Sequence, residues 1–261
     1  HPLDQIKLPQ VLGDDVDDIS PYAKDLTTRH HVAPTHRWMT DHNEWQHAVQ
    51  AYLASATFVD ACVGKVLRAL EASRYRENTI VVLFSDHGFH LGEKQRWAKR
   101  SLWEDGTRVP LIISAPGLPT GQVCTQAAGL IDIYPTLLDL CGMSAEKKHE
   151  GITLKPQLEN AAASRTTPVI TTFGPGNHAV RSERWRYIRY RDGSEELYDH
   201  HHDRHEWNNL AHDPVWKDVM HAHRKHVPKS EHPILGKGST GHQAFEAAET
   251  LLKKQNTSSA R

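Results

Sequence analysis

Residues 79–84, Thr79-Ile80-Val81-Val82-Leu83-Phe84, form an unbroken run of β-branched and apolar side chains, and this run constrains the chain more than any other feature. A strand with one wet face alternates apolar and polar residues, because successive side chains point to opposite sides of the sheet. A β-branched and apolar run without polar alternation predicts a strand covered on both faces, as in the parallel sheets of α/β proteins. A second such run, residues 109–114, closes at Ala115-Pro116-Gly117. Upstream, Val49, Tyr52, Leu53, Ala56, Val59, Val63, Val66, Leu67 and Leu70 recur at spacings of three and four. That period predicts one long amphipathic helix from Asp41 to about residues 74–76, opened by Asp41 and Glu44 as a capping box. Helix, strand, long loop and strand in this order predict an open α/β sheet, in which ligands gather beyond the carboxyl ends of the strands.

The flanking segments have a different texture. Residues up to about 39 are rich in Pro and Asp (Asp14, Asp15, Asp17, Asp18), lack a sustained period, and predict extended surface loops with solvated acidic turns. Residues 130–140 predict a helix with Pro135 near its first turn and a stop at Gly142. Past residue 166 the pattern becomes one of short strands over 168–173, 178–181, 185–190 and 195–198, with Asp192-Gly193 as a hairpin turn, then a helix over 214–226. The domain reading is therefore an α/β core over 1–165, an antiparallel subdomain with a terminal helix over 166–226, and a polar tail over 227–261 carrying one amphipathic stretch at 242–254.

Composition excludes several classes. With 31 Lys+Arg against 32 Asp+Glu, the net charge of -1 argues against a nucleic-acid partner, although Arg181, Arg184, Arg186, Arg189 and Arg191 interleave with aromatics. No apolar stretch approaches the roughly 18 residues of a membrane span. Cys62, Cys124 and Cys141 are too few and too scattered for a disulfide framework. The 20 histidines, including His200-His201-His202, are read mainly as solvated loop residues.

Chemistry concentrates where the first apolar strand ends, at Ser85-Asp86-His87-Gly88. A carboxylate and an imidazole set side by side by a glycine turn can face one ion or one anionic group. Spacing alone equally allows Asp86 to cap a turn and His87 to pack. The loop of roughly twenty residues that follows is long enough to be functional.

These residues belong to a longer string. Ser85-Asp86-His87-Gly88-Phe89-His90-Leu91-Gly92-Glu93, then Trp97-Ala98-Lys99, then Thr107-Arg108-Val109-Pro110-Leu111-Ile112, closely resembles the sulfatase family, especially its iduronate-2-sulfatase-like branch. Tyr52-Leu53-Ala54-Ser55 with Asp60 and Gly64, Ile131-Asp132-Ile133-Tyr134-Pro135-Thr136, the stretch 179–188 and Glu195-Glu196-Leu197-Tyr198-Asp199 extend the resemblance over roughly residues 2–214. It implies an α/β fold: an alkaline-phosphatase-like mixed or parallel sheet core, incomplete at the N-terminus, with a small antiparallel C-terminal subdomain. It also implies hydrolysis of sulfate esters by a formylglycine nucleophile beside a calcium ion. By the same match Asp86 is a metal ligand, His87 is its neighbour in the metal shell, and Lys99 pairs with the sulfate oxygens. Calcium's preference for oxygen makes Asp86 the firmer ligand. His178, ahead of the strand that starts at Ala179, is a candidate to reach substrate from the smaller subdomain. Lys94, on the same loop as Lys99, is expected to matter much less.

One departure qualifies this. Formylglycine arises from a Cys/Ser-x-Pro-x-Arg motif, and none occurs here. His1-Pro2-Leu3-Asp4 corresponds to a point inside the family's chain, so the expectation is a C-terminal part of a sulfatase, holding half of a metal site and inactive alone. The partners implied are a sulfated small molecule or glycan and the N-terminal half of the same fold. The alternatives are a phosphatase or phosphonate monoester hydrolase, or a non-catalytic product that only binds anions or partners.

Overall fold

The computed structural model describes residues 1–28, 33–144, 146 and 148–231; the stretch at 242–254 and all of the tail beyond 231 lie outside the described residues. In chain order the helices and strands are α1 (Pro21–Thr28), α2 (His36–Asp41), α3 (Trp45–Glu71), β1 (Val81–Phe84), β2 (His90–Leu91), β3 (Trp97–Ala98), α4 (Glu104–Thr107), β4 (Leu111–Ser114), α5 (Ile133–Leu140), α6 (Lys155–Glu159), β5 (Val169–Thr172), β6 (His178–Arg181), β7 (Trp185–Arg189), β8 (Glu195–Asp199) and α7 (Lys217–Arg224). They fall into two compact units that alternate along the chain. The first comprises His1–Leu8, Asn43–His87 and Val109–Thr167, and the second comprises Pro9–His42, Gly88–Arg108 and Pro168–Arg261.

In the first unit the predicted long helix forms as α3. It begins without the predicted capping box: Asp41 closes α2, and Glu44 occupies the cap position with no side-chain hydrogen bond. Gln46 and Gln50 instead tie α3 to the start of the chain, donating to the carbonyls of Leu3 (2.9 Å) and His1 (2.6 Å). The two apolar runs form β1 and β4, but they pair antiparallel, with Val81 opposite Ser114 and Phe84 opposite Leu111. Apolarity at every position marks a strand but does not encode its direction, which is why the parallel expectation fails for this pair. Nor are the runs fully covered. Ile112 is 58% exposed and Phe84 48%, while on α3 Phe58 reaches 70%.

The motif around Asp132 is a structural staple. After one 3-10 turn at Leu130–Asp132, the buried Asp132 carboxylate accepts from Gly129 N (2.8 Å) and Ile152 N (2.9 Å) and pairs with Arg165 (2.8 Å). Thr136 donates to the Asp132 carbonyl (2.6 Å) and accepts from Leu154 N (2.8 Å), so the start of α5 is locked to the approach of α6.

The second unit is built on the antiparallel sheet β5-β6-β7-β8. Period-two alternation gives this sheet two buried faces. Ala179, Ile188, Tyr190 and Tyr198 pack with Ile19, Ala23, Leu26, Leu102 and Trp103. Val180, Tyr187 and Leu197 pack with Met220 of α7. The segment before residue 39 therefore does more than loop over a surface. Ser20 accepts from Ala23 N (3.1 Å) just before Pro21 opens α1, and Thr35 accepts from Trp38 N (3.0 Å) to start α2. Burial of Ile19, Ala23 and Leu26 against the sheet overrides the polar composition around them.

Glu196 on β8 is buried inside this unit, where its Oε2 accepts from Trp103 Nε1 (2.8 Å) and from the Tyr198 hydroxyl (2.9 Å). Burial pushes its carboxyl up to about 7. A native pKa above the unfolded value means that the folded state binds the extra proton, so this contribution to stability falls as pH rises from about 4.5 to about 7. The thermal midpoint is expected to decline across that window by an amount worth on the order of 1–3 kcal/mol. Glu196→Gln should flatten the decline in melts recorded every half pH unit. An unchanged slope would assign it to another group.

Candidate active site

Immediately past β1, Ser85 Oγ donates to the His87 carbonyl (3.0 Å) and closes a tight turn that presents Asp86 and His87. The Asp86 carboxylate is 81% exposed, and His87 Nε2 lies 3.7 Å from its Oδ1. The pair therefore offers one carboxylate, of one or two oxygens, and one imidazole nitrogen to a cation. Calcium requires six to eight oxygens. Among the described residues, three donors converge within 4.8 Å only at His90, Glu93 and Asp105 and at Glu104, His200 and Glu206, and neither group includes Asp86 or His87. These two residues by themselves do not make a calcium shell. Calorimetric titration of the chain with calcium is expected to show no tight binding; submicromolar affinity lost in Asp86→Ala would overturn this.

Gly88 begins the second unit with a backbone constraint. Its N–H donates to the Gly106 carbonyl (3.1 Å), and a Cβ at this position would stand 2.0 Å from the Asp105 carbonyl oxygen. The glycine of the Asp-His-Gly string is thus required by close packing of backbone on backbone.

Lys99 lies just after the β2-β3 hairpin, in which His90 pairs with Ala98 and Leu91 with Trp97. Six described residues other than glycine have positive φ, and four of them are Lys94 (54°), Gln95 (54°), Ala98 (66°) and Arg100 (71°). Each such residue costs about 1–3 kcal/mol, so the surrounding structure must impose the conformation. Arg96 does so directly: its Nε (3.1 Å) and Nη2 (2.5 Å) both donate to the Lys99 carbonyl. His90 Nε2 meets Ser101 Oγ (2.7 Å), Trp97 Nε1 donates to His36 Nδ1 (3.3 Å), and Gln95 donates to the Leu12 carbonyl (2.7 Å).

Lys94, expected from the sequence to matter much less than Lys99, proves to be a structural anchor. It is 1% exposed, with Nζ 2.7 Å from Asp15 Oδ1, a second bond to the Glu206 carbonyl, and the ring faces of Tyr198 (5.0 Å) and Trp103 (5.6 Å) around it. Asp15, expected in a wet acidic turn, is likewise buried; it also accepts from Lys94 N (3.2 Å). Sequence gave no signal for this pair, because its members are 79 residues apart and each sits in a polar neighbourhood.

A second buried network supports α4. Arg186 bridges Glu206 (2.6 Å) and Glu104, Arg181 adds a bond to Glu104 (3.1 Å), and His200 Nε2 meets Glu206 Oε1 (2.8 Å). Burial opposes ionisation of Glu104, but the charges of Arg186, Arg181 and His200 outweigh it and hold the carboxyl at about 2. Two guanidinia thus already neutralise these carboxylates. At the other donor group, burial first and the carboxylates of Glu93, Glu206 and Glu104 next push Asp105 up to about 7.

His178 is the first residue of β6 and is buried, with Nδ1 2.9 Å from Thr172 Oγ1 and Nε2 2.8 Å from Glu231 Oε1. Asp86 and His87 thus belong to the first unit, and Lys99 and His178 to the second.

Residues 20–143 match the family described as Sulfatase, and residues 92–232, more than half of the chain, match the family described as N-sulphoglucosamine sulphohydrolase, C-terminal. The chain belongs to the sulfatase family. A sulfatase of Formosa agariphila is 40% identical over 230 residues, covering 88% of this chain and 45% of the relative. A Delta 4,5-hexuronate-2-O-sulfatase of Bacteroides thetaiotaomicron is 30% identical over 228 residues, covering 79% of this chain and 47% of the relative. The chain thus spans a little under half the length of these relatives. Among solved structures, a 2-O GAG sulfatase superposes with a TM-score of 0.69 at 27% identity, covering 84% of this chain and 51% of that one. A phosphonate monoester hydrolase from Silicibacter pomeroyi gives 0.70 at 23%, covering 86% and 50%, and so shares the fold. The fold is the alkaline-phosphatase-like α/β architecture of sulfatases.

The two hairpin lysines should separate in stability measurements. Lys94→Ala leaves Asp15 buried without its partner, a loss of about 3–5 kcal/mol, and should lower the thermal midpoint by many degrees or prevent folding. Lys99→Ala is expected to stay within a few degrees of the wild-type chain. Similar losses in both variants would show that the Lys99 side chain also holds the hairpin together.

Proposed function

We propose that this chain contributes part of the active site of a sulfuric ester hydrolase acting on a sulfated sugar, in the iduronate-2-sulfatase-like branch of the family. The observation that carries the reading is the placement of Lys99: an ammonium on a segment forced through left-handed backbone on both sides and braced by Arg96, within the stretch matched by both family descriptions. In this reading Lys99 binds the sulfate oxygens. A fixed cation there strengthens as charge develops on the transferring group, and it loses nothing to reorganisation at the moment of reaction. Likeness to a hexuronate-2-O-sulfatase and a 2-O GAG sulfatase supports a sugar as the alcohol.

Asp86 serves in this scheme as one oxygen ligand of a calcium ion whose remaining ligands come from outside the described residues, with His87 beside it. The ion, when bound, neutralises charge on the sulfuryl group. His178, named from the sequence as a candidate to reach substrate, is buried with both ring nitrogens engaged by Thr172 and Glu231, so in this scheme it braces the antiparallel sheet and would meet substrate only by releasing Glu231. The sequence holds no Cys/Ser-x-Pro-x-Arg, so the formylglycine nucleophile is supplied by a partner polypeptide or segment with the first half of the fold, and the domain boundaries read from the sequence are those at 165 and 226.

The test is turnover. The 261-residue chain alone is expected to release no sulfate from aryl or sugar sulfates, since holding the group does not open the covalent path that splits hydrolysis into easier steps. With a matured nucleophile segment supplied, Lys99→Ala should lower kcat/KM by on the order of 100-fold or more, while the exposed Lys225→Ala should change it by less than about twofold. Equal losses at both lysines would refute the role given to Lys99. Faster turnover of phenyl phosphonate than of aryl sulfate would favour the phosphonate monoester hydrolase alternative.

A further inference from the structure

Of the two places where three ligating side chains converge among the described residues, one is already neutralised: Glu104 and Glu206 face Arg186, Arg181 and His200. The other is not. A ring nitrogen of His90 and one carboxylate oxygen each from Glu93 and Asp105 lie within 4.8 Å of one another. The cations whose charge reaches His90 are committed elsewhere, Lys94 to Asp15 and Arg96 to the Lys99 carbonyl. Among the described residues neither Glu93 nor Asp105 makes an ion pair; Glu93 accepts from Leu91 N (2.6 Å) with one oxygen. Carboxylates held together without a counter-charge repel one another, and after burial that repulsion is what opposes ionisation of Asp105.

The imidazole gives an independent sign. His90 is fully buried, its Nε2 meets Ser101 Oγ, and its Nδ1 has no hydrogen-bond partner. A buried ring nitrogen left without a partner costs free energy that an ion recovers. Burial first, and the charge of Arg96 next, hold this imidazole down to about 3, so at neutral pH it is in the uncharged form that ligates metals. Close backbone packing brings the donors together: Gly88 leaves no room for a side chain against the Asp105 carbonyl, and a Cβ on Gly106 would stand 3.0 Å from His90 Nε2. The donors grade from buried His90 through half-buried Glu93 to exposed Asp105, so the group opens to solvent on its carboxylate side.

We propose that His90, Glu93 and Asp105 form a zinc site that ties α4 to the β2-β3 hairpin leading into Lys99. One imidazole and two carboxylates are a three-ligand zinc set, with a fourth position left to water. Ser101 accepts from Nε2–H, which fixes the tautomer and leaves the Nδ1 lone pair for the ion. Zinc holds such ligands at about 2.0–2.2 Å, so donors already this near close on it by small side-chain rotations. Calcium, which wants six to eight oxygens, suits the set poorly.

The experiment is a titration of the metal-stripped 261-residue chain with zinc chloride, read by calorimetry and by the thermal midpoint. Wild type is expected to take up one equivalent with micromolar or tighter affinity, ahead of weaker uptake by exposed histidines, and to melt a few degrees higher at saturation. Asp105→Asn and Glu93→Gln, which keep the side-chain shape and remove one ligand charge, should each weaken the tight equivalent at least about tenfold and lose most of the rise. His201→Ala should leave both intact. Because a His90 variant risks the hairpin itself, the imidazole is tested in place: in a chain labelled with nitrogen-15 histidine, one Nδ1 resonance should shift on zinc addition in wild type and stay fixed in Asp105→Asn. No tight equivalent in wild type, equal affinity and melting in wild type and the two carboxylate variants, or a tight equivalent that shifts no histidine nitrogen, overturns the proposal.

Discussion

Much of the second unit depends on one ion pair out of reach of water. Lys94 and Asp15 meet at 2.7 Å, both nearly fully buried. Removing two charges from water costs several kcal/mol per ion, and attraction alone offsets this only with good geometry and satisfied donors. Here the ammonium has Asp15, the Glu206 carbonyl and two aromatic faces, so its donors are occupied and its charge is spread over polarisable neighbours. The consequence reaches further than stability. Lys94 takes a left-handed backbone conformation and anchors the turn between β2 and β3, which fixes the path of the chain into Lys99.

The same loop shows how positive charge is sorted in this protein. Lys94, Arg186 and Arg181 are matched against carboxylates inside the fold and serve architecture. Arg96 is spent on a backbone carbonyl. Arg100 keeps a buried nitrogen unmatched on the segment it shares with Lys99. Sequence position does not separate these roles, since Lys94, Arg96, Lys99 and Arg100 lie within seven residues; burial and partners do.

What was legible in the sequence follows the same division. Local period and turn chemistry gave α3, the four short strands of the C-terminal sheet, and the hairpin at Gly193, whose φ is 90°. The motif string located Asp86 and Lys99 at the end of a strand and beside a hairpin. Two kinds of fact stayed hidden. The direction of β1 against β4 depends on how the chain returns, which an all-apolar run does not record. The burial of Asp15 and Lys94 depends on contacts between distant polar segments, where composition predicts solvent. Likewise α1 forms because Ile19, Ala23 and Leu26 find a sheet assembled from residues more than 150 positions later.

The alternation of the two units along the chain has an evolutionary consequence. The polypeptide passes from one to the other after Leu8, His42, His87, Arg108 and Thr167. No single crossover between genes could exchange one unit whole and leave the other intact, and the passage after His87 falls inside the Asp-His-Gly string itself. A segment swapped between relatives at any one of these passages would therefore carry parts of both units and have to fit both at once.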